Sequence, residues 1–415
     1  MTTDSLETTP AADPDAHLIP IDSPTDGTPR VFTTAAEYAL TLRSLSEGSG
    51  PIAIDAERAS GFRYGQRNYL IQLRRAGSGT FLLDPTFLPD LSALTTGFAD
   101  EEWVFHAAIQ DLPSLKEQQI LPGRIFDTEL GSRILGLERV GLGPVVAEVL
   151  GYKLAKEHSA QDWSIRPLPE GWLNYAALDV EVLLPLRDAI AERLEDAGKL
   201  EWALQEFEAT RTKDFTPKHQ EPWRRISGLH GLKSRRELAI AKELWSVRDR
   251  LASHRDIAPG RVLPDRAILV AAKEKPRTIG ELSHLHAFGS NGVKRRAAIW
   301  QKGIDTALAL PADELPVYRV PKPDALPAPR LWPERNPKAA ARLEASRAFY
   351  QQLSDEVTVP IENLLTPALL RKLCWEPPAN LTPATVAQAL GDLGARPWQV
   401  DLAVMGLTKI FKDNS

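Results

Sequence analysis

The clearest strand-like runs of this 415-residue chain come early. Apolar and β-branched runs lie at 51–55, 68–76 (NYLIQLRRA), 80–84 (TFLLD) and 102–108 (EWVFHAA), and no convincing one follows Pro217. Such a chain can build one sheet, early, and must complete itself with helices. Gly77-Ser78-Gly79 is a hairpin signal between the second and third runs. Thr34-Ala-Ala-Glu37 reads as a capping box opening a helix to about Leu45. Helical patterns then alternate over 109–119, 128–137, 143–150, about 170–197 and 198–213. A strand meander followed by alternation predicts a mixed sheet covered by helices.

Beyond Pro217, residues 223–305 read as short helices broken by Gly228, Gly231, Pro259, Pro264, Pro276 and Gly289. A Pro-rich stretch over 311–337 cannot continue a helix, and 338–412 is helical again. The segments 237–269 and 339–370 read as repeats offset by about 101 or 102 residues, with two unrelated bundles as the alternative. The expected organisation is a disordered Thr/Pro/Asp-rich tail (1–25), an α/β domain (26–215), a helical domain (220–306), a linker (307–337) and a second helical domain (338–415).

Net charge is −5, unevenly spread: residues 223–302 hold 18 Lys and Arg against 7 Asp and Glu, a local +11 that leaves −16 elsewhere. A basic part of this size suggests a polyanionic partner, or else a solvated basic surface. Cys374 is the sole cysteine, which excludes an intrachain disulfide and a cysteine-built zinc site and suits a reducing cytoplasm. No apolar stretch approaches the roughly 18 residues of a membrane span, and the N-terminus lacks a signal-peptide pattern. A cytoplasmic, non-membrane protein is expected.

Asp55 and Glu57 end the first apolar run two residues apart, so on a strand they share a face. Two such carboxylates repel unless solvent hydrates them or a divalent cation bridges them. Asp111 follows the run that ends in His106, at the first turn of a helix, where an acid also suits the helix dipole. His106 itself reads as a hydrogen-bonded core histidine. Tyr175 and Asp179 are i and i+4 on the long helix and share its face. Asp127, before a helical run, reads as an N-cap.

Taken together, Asp-x-Glu (55, 57), His-x4-Asp (106, 111) and Tyr-x3-Asp (175, 179) resemble the three motifs of the DEDD superfamily of 3′→5′ exonucleases, in its tyrosine-containing subgroup. HSAQDWSIRPLPEGWLNYAALDVEVLLPL (158–186) resembles the signature region of ribonuclease D, and 223–305 resembles an HRDC domain. The resemblance covers nearly the whole chain from about residue 30. It implies a ribonuclease H-like α/β exonuclease domain followed by two all-α HRDC-type bundles, the second divergent. Arg58 stands where the family often has a large apolar residue, which bears on the local substrate contact.

The resemblance further implies that Asp55, Glu57, Asp111 and Asp179 hold two divalent ions, Mg²⁺ or Mn²⁺, with Tyr175 orienting the attacking water. The expected reaction trims single-stranded 3′ ends of structured RNA such as tRNA precursors, releasing nucleoside 5′-monophosphates from a monomeric enzyme. Lys233, Arg235, Arg236, Lys294, Arg295 and Arg296 flank Gly-rich turns and would meet RNA phosphates. Phe62, Tyr64 and Tyr69 would stack terminal bases or simply pack. A DNA exonuclease on the same scaffold and a catalytically silent RNA-binding protein are the alternatives.

Overall fold

The computed structural model describes residues 17–88, 90–154, 160–216, 221–318 and 325–415. Its main sheet has six strands in the order β2-β5-β4-β3-β6-β7: β2 (Val31–Phe32), β3 (Ser49–Arg58), β4 (Asn68–Ala76), β5 (Gly79–Leu83), β6 (Glu102–Phe105) and β7 (Arg124–Asp127). The β3–β4–β5 meander is antiparallel, whereas β6 joins β3 and β7 joins β6 in parallel. The sheet is therefore mixed, as the alternation in the sequence requires. Gly77 and Gly79 both have positive φ in the tight β4–β5 turn, a conformation that glycine adopts without steric cost.

The capping box is present at Thr34, whose side chain accepts from the Glu37 N–H and opens the helix Ala35–Glu47. The helices Thr128–Leu135, Leu142–Leu150, Glu170–Asp196 and Leu200–Arg211 follow the predicted order. The 27-residue helix Glu170–Asp196 carries a buried stripe of Ala176, Val180, Leu183, Leu186, Ile190 and Leu194, spaced three or four residues apart, and packs it towards the sheet.

Two expectations need correction. The tail was expected to be disordered over 1–25. Residues 1–16 lie outside the described residues, but Ile19–Ile21 form a strand, β1, paired in parallel with β8 (Tyr152–Leu154). Thr25 is also tied to the Glu181 carboxylate, which accepts from its backbone N–H at 3.1 Å. The Pro-rich stretch 311–337 of the linker was expected to be extended. Residues 319–324 lie outside the described residues, but the linker's end coils into a short helix, Trp332–Arg335, with Trp332 fully buried. A large aromatic at that point gains more from burial than from a free linker.

The helical parts repeat with a constant spacing. Helices Arg235–Arg255 and Pro337–Val357 are each 21 residues long and start 102 residues apart. Left-handed caps at Asp256 and Thr358, short helices Pro259–Val262 and Ile361–Leu364, and helix starts at Asp265 and Pro367 keep that offset. The first unit has its own core, built around Leu244, Ile268, Trp300 and Ile304. The second shares one continuous core with the sheet domain.

Candidate active site

β3 and β6 run parallel, so their carboxyl ends open at one edge of the sheet, where open α/β sheets commonly bind ligands. Asp55 and Glu57 sit at that end of β3, on one face, opposite Gln72 and Leu70 of β4. From above, the long helix brings Tyr175 and Asp179. Asp179 interrupts an apolar stripe and is only 6 % exposed, so packing of the stripe forces its carboxylate towards the pair. Ligand oxygens of Asp55, Glu57 and Asp179 all lie within 4.8 Å of one another.

Asp111 arrives on the turn after β6 and is also buried. It lines one cleft with Asp55, Glu57, Tyr175 and Asp179. Its carboxylate faces Arg58, whose Nη1 donates to Oδ1 at 2.9 Å. Asp111 thus shares the cleft without joining the three-carboxylate cluster.

The charges are strongly coupled. Burial, then repulsion from Asp55, Asp179 and Asp111, pushes Glu57 well above the usual carboxylate range. Burial and then Asp55 push Asp111 well up, against the pull of Arg58. Burial also raises Asp55. Tyr175 is held far above its usual range by burial and then by Asp179, Glu57 and Asp55, and its hydroxyl donates to Asp179. Four crowded acids are costly as free anions, while a hard divalent cation among oxygen donors reverses the sign of that cost. The donor set fits such a cation.

Asp127 does more than the predicted N-cap. It accepts from Glu129 N–H at 3.0 Å and Leu130 N–H at 3.2 Å, and also from Ala107 N–H at 3.0 Å and Ala108 N–H at 2.9 Å. Ala107 has φ of 64°, a left-handed conformation unusual for alanine, at the head of the turn that carries Asp111. One buried carboxylate therefore holds both a helix start and the approach to Asp111. Only the capping half of that role was visible in the sequence. His106 sits with Nδ1 2.9 Å from Thr128 Oγ1, and burial lowers it to about 4, so the ring is neutral.

The three aromatics near the first motif are engaged. Phe62 lies under the Arg261 guanidinium, 4.1 Å from its ring centroid, and its carbonyl accepts from Ala258 N–H. The Tyr64 hydroxyl donates to Asp249 at 3.0 Å. Tyr69 is buried, and its hydroxyl accepts from Arg67 Nε. The first helical unit is therefore fastened to the segment just beyond β3. In the 158–186 region, His158 and Ser159 lie outside the described residues. Trp163 is fully buried 5.2 Å from Trp172, and Arg166 bridges Asp84 and the Tyr69 carbonyl.

The basic residues divide. Arg235 donates to the carbonyls of Leu315 and Pro316, Arg236 to those of Ala307 and Leu310, and Arg296 to that of Gly292. These guanidinium groups bind backbone carbonyls of the helical unit and of the segment that follows it. Lys233, Lys294 and Arg295 are exposed.

Comparison with known proteins agrees with this geometry. Family models described as 3′-5′ exonuclease, HRDC domain, and 3′ to 5′ exonuclease C-terminal domain match residues 29–195, 237–304 and 325–411. A ribonuclease D from Gluconacetobacter diazotrophicus is 31% identical over 293 residues, 68% of this chain and 72% of that protein. The chain belongs to the ribonuclease D family. It is a 3′→5′ exoribonuclease, with a ribonuclease H-like exonuclease domain followed by helical domains. The crystal structure of a protein from Bifidobacterium adolescentis superposes with a TM-score of 0.87 at 36% identity, covering 95% of this chain and 100% of that one. Escherichia coli RNase D, described as an exoribonuclease involved in structured RNA processing, gives 0.65 at 25% identity, covering 92% and 98%. Among the described residues no helix is long and apolar enough to cross a membrane.

Proposed function

We propose that the chain removes nucleoside 5′-monophosphates one at a time from the 3′ ends of structured RNA such as tRNA precursors, in a reaction that needs two divalent cations. The observation that carries this reading is the meeting of Asp55, Glu57 and Asp179 within 4.8 Å, beside Tyr175 and Asp111 in one cleft. Those four acids would hold the cations, and oxygen-only ligands favour Mg²⁺ or Mn²⁺. Bound there, the ions would supply an activated water and neutralise charge on the phosphodiester.

The chain's own groups orient that chemistry. Burial and its anionic neighbours hold the Tyr175 phenol well above its usual range in the metal-free cleft. It is a positioner and not a base. Its hydrogen goes to Asp179, so toward an attacking water its oxygen would act as an acceptor. The cleft, about 430 Å³, suits a single terminal nucleotide rather than a duplex.

In this reading the exonuclease domain (26–215) does the chemistry and the basic helical domain (220–306) holds the body of the RNA. The exposed Lys233, Lys294 and Arg295 are its phosphate contacts, while Arg235, Arg236 and Arg296 shape the surface that presents them. Support for structured RNA as substrate comes from the description of the Escherichia coli relative. The protein is taken to act as a monomer in the cytoplasm, where a lone buried cysteine is at no disadvantage.

The test is mass analysis of products from a 3′-tailed RNA and a matched DNA, with Mg²⁺ or Mn²⁺, for the native chain and for Asp55→Asn and Asp179→Asn. Stepwise 5′-monophosphate release from RNA, lost in both variants, is expected. Full activity in either variant, or equal trimming of DNA, would refute the assignment.

A further inference from the structure

Arg58 follows the metal-binding pair directly, at a point where the pairing of β3 with β4 slips by one residue between Glu57 and Arg58. Glu57 pairs with Leu70 and Arg58 with Asn68, so the extra residue, Tyr69, lies on β4 and the ladder bends locally beside Arg58. Here the Arg58 guanidinium reaches the turn after β6. Its Nη1 donates to the Gln110 carbonyl at 2.6 Å, to Asp111 Oδ1 at 2.9 Å and to Ser114 Oγ at 3.3 Å. Its side chain is 20 % exposed and that of Asp111 is 7 % exposed, so the pair is largely screened from water and its attraction is correspondingly strong.

Arg58 also accounts for the asymmetry among the four acids. Asp55, Glu57 and Asp179 turn their oxygens on one another, whereas Asp111 turns an oxygen to Arg58. An oxygen that accepts from a guanidinium is poorly placed to ligate a cation, and two positive charges on one carboxylate repel. The geometry points to Arg58 as an internal counter-cation that competes with a divalent cation for Asp111, so that the ion at Asp111 binds only by displacing the guanidinium. This rests on the reading that the four acids hold divalent cations. It adds that their affinities are unequal in this chain because of one residue that is not a ligand.

A purely structural clamp makes the opposite prediction. If Arg58 serves only to fix the Asp111 turn to β3, removing it loosens Asp111 and weakens the second ion. If it competes, removing it strengthens that ion. The experiment is a titration of the full chain with Mn²⁺ at about pH 8, followed by calorimetry and by the EPR signal of free Mn²⁺, for the native protein, Arg58→Met and Arg58→Gln. Gln keeps a donor for the Gln110 carbonyl without the charge, and so serves if Met disturbs folding. The expected result is a first ion of nearly unchanged affinity and a second bound at least about tenfold more tightly in either variant. A second ion of equal or weaker affinity in the variants overturns the proposal while leaving the metal reading intact. No uptake by any of the three proteins overturns both.

Discussion

The crowding of Asp55, Glu57 and Asp179 has a measurable consequence for stability, with a sign that depends on metal. Two full negative charges 4.8 Å apart repel by about 3.5 kcal/mol at an effective dielectric of about 20. Burial and then this repulsion raise Glu57 well above its usual value in the metal-free protein. An acid raised in the folded state stabilises it fully below the unfolded pKa of roughly 4.3, and that contribution is lost as pH rises through the folded value. Glu57→Gln keeps the shape and removes the charge, so the variant escapes that loss. The gain near pH 8 should be about 2–3 kcal/mol, bounded by one pair repulsion, less about 1 kcal/mol for an imperfectly paired buried amide. A net 1–2 kcal/mol corresponds to a rise of about 3–6 °C in the unfolding midpoint of the exonuclease domain. The assay is thermal unfolding in EDTA from about pH 5 to about pH 8, repeated with excess Mg²⁺. In EDTA the variant should pull ahead as pH rises. With Mg²⁺ the native chain should gain more, and the order should narrow or reverse. The reasoning fails if Glu57→Gln is no more stable than the native chain at any pH in EDTA, or if Mg²⁺ raises both midpoints equally.

Further outcomes follow from the same geometry. Tyr175→Phe should lower kcat about 10–100-fold with little change in Mn²⁺ affinity, and the pH–rate profile of the native enzyme should show no limb from a phenol. Asp127→Ala strips four backbone N–H groups of their acceptor and should cost about 2–3 kcal/mol in denaturant unfolding, with activity falling further because the turn bearing Asp111 is released. Lys294→Ala with Arg295→Ala should flatten the dependence of RNA binding on salt by about one to two units of slope, read by fluorescence anisotropy across a salt series, without lowering the melting midpoint. Arg236→Ala should instead lower the stability of the first helical unit by about 1–3 kcal/mol, because two carbonyls lose their donor.

The long elements were legible because their periods are long enough to read. The 27-residue helix and the β4–β5 hairpin carry unambiguous spacing and turn chemistry. Strands β1, β2, β7 and β8, of two to four residues, were not legible, since an alternation needs more positions than they offer. Strand and helix periods decide that Asp55 faces with Glu57 and Tyr175 with Asp179, while the grouping of these acids with Asp111 came from the motif resemblance. What joins those pairs is tertiary. Nothing local announces that Arg58 meets Asp111, because the β3–β4 register shift and the β6 crossover must both be in place first. The same holds for Asp127, whose capping of its own helix is a local pattern and whose grip on Ala107 and Ala108 is not. The six basic residues divide for a different reason. Charge counting cannot tell a guanidinium that reaches solvent from one that reaches a nearby carbonyl, and in Arg235, Arg236 and Arg296 the carbonyl wins.

The two helical units show why a repeat can keep its fold and lose its sequence. In the first unit the conserved scaffold closes on itself, and its outward surface remains free to be basic. In the second the same helices must also complete the exonuclease core. Glu206 of the sheet domain is paired with Arg396 and accepts from the Trp398 indole at 2.9 Å, while Trp398 stacks on Trp202. Lys199, buried between the parts, donates to the Ile134 carbonyl at 3.0 Å and to Thr358 Oγ1 at 3.0 Å. Gly136 has positive φ, and a Cβ there would come within 2.3 Å of the Thr358 carbonyl, so no other residue fits that contact. Thr358 is the left-handed cap that corresponds to Asp256 in the first unit, and Asp256 faces Arg63 and Arg67 instead. The same backbone corner thus docks twice onto the exonuclease domain, once through ion pairs with a few part-buried hydrogen bonds and once through the buried Lys199 and the close Gly136 contact. Exposed ion pairs are worth little individually and are weakened by salt. The second unit therefore cannot move without opening the core, whereas the first keeps a core of its own.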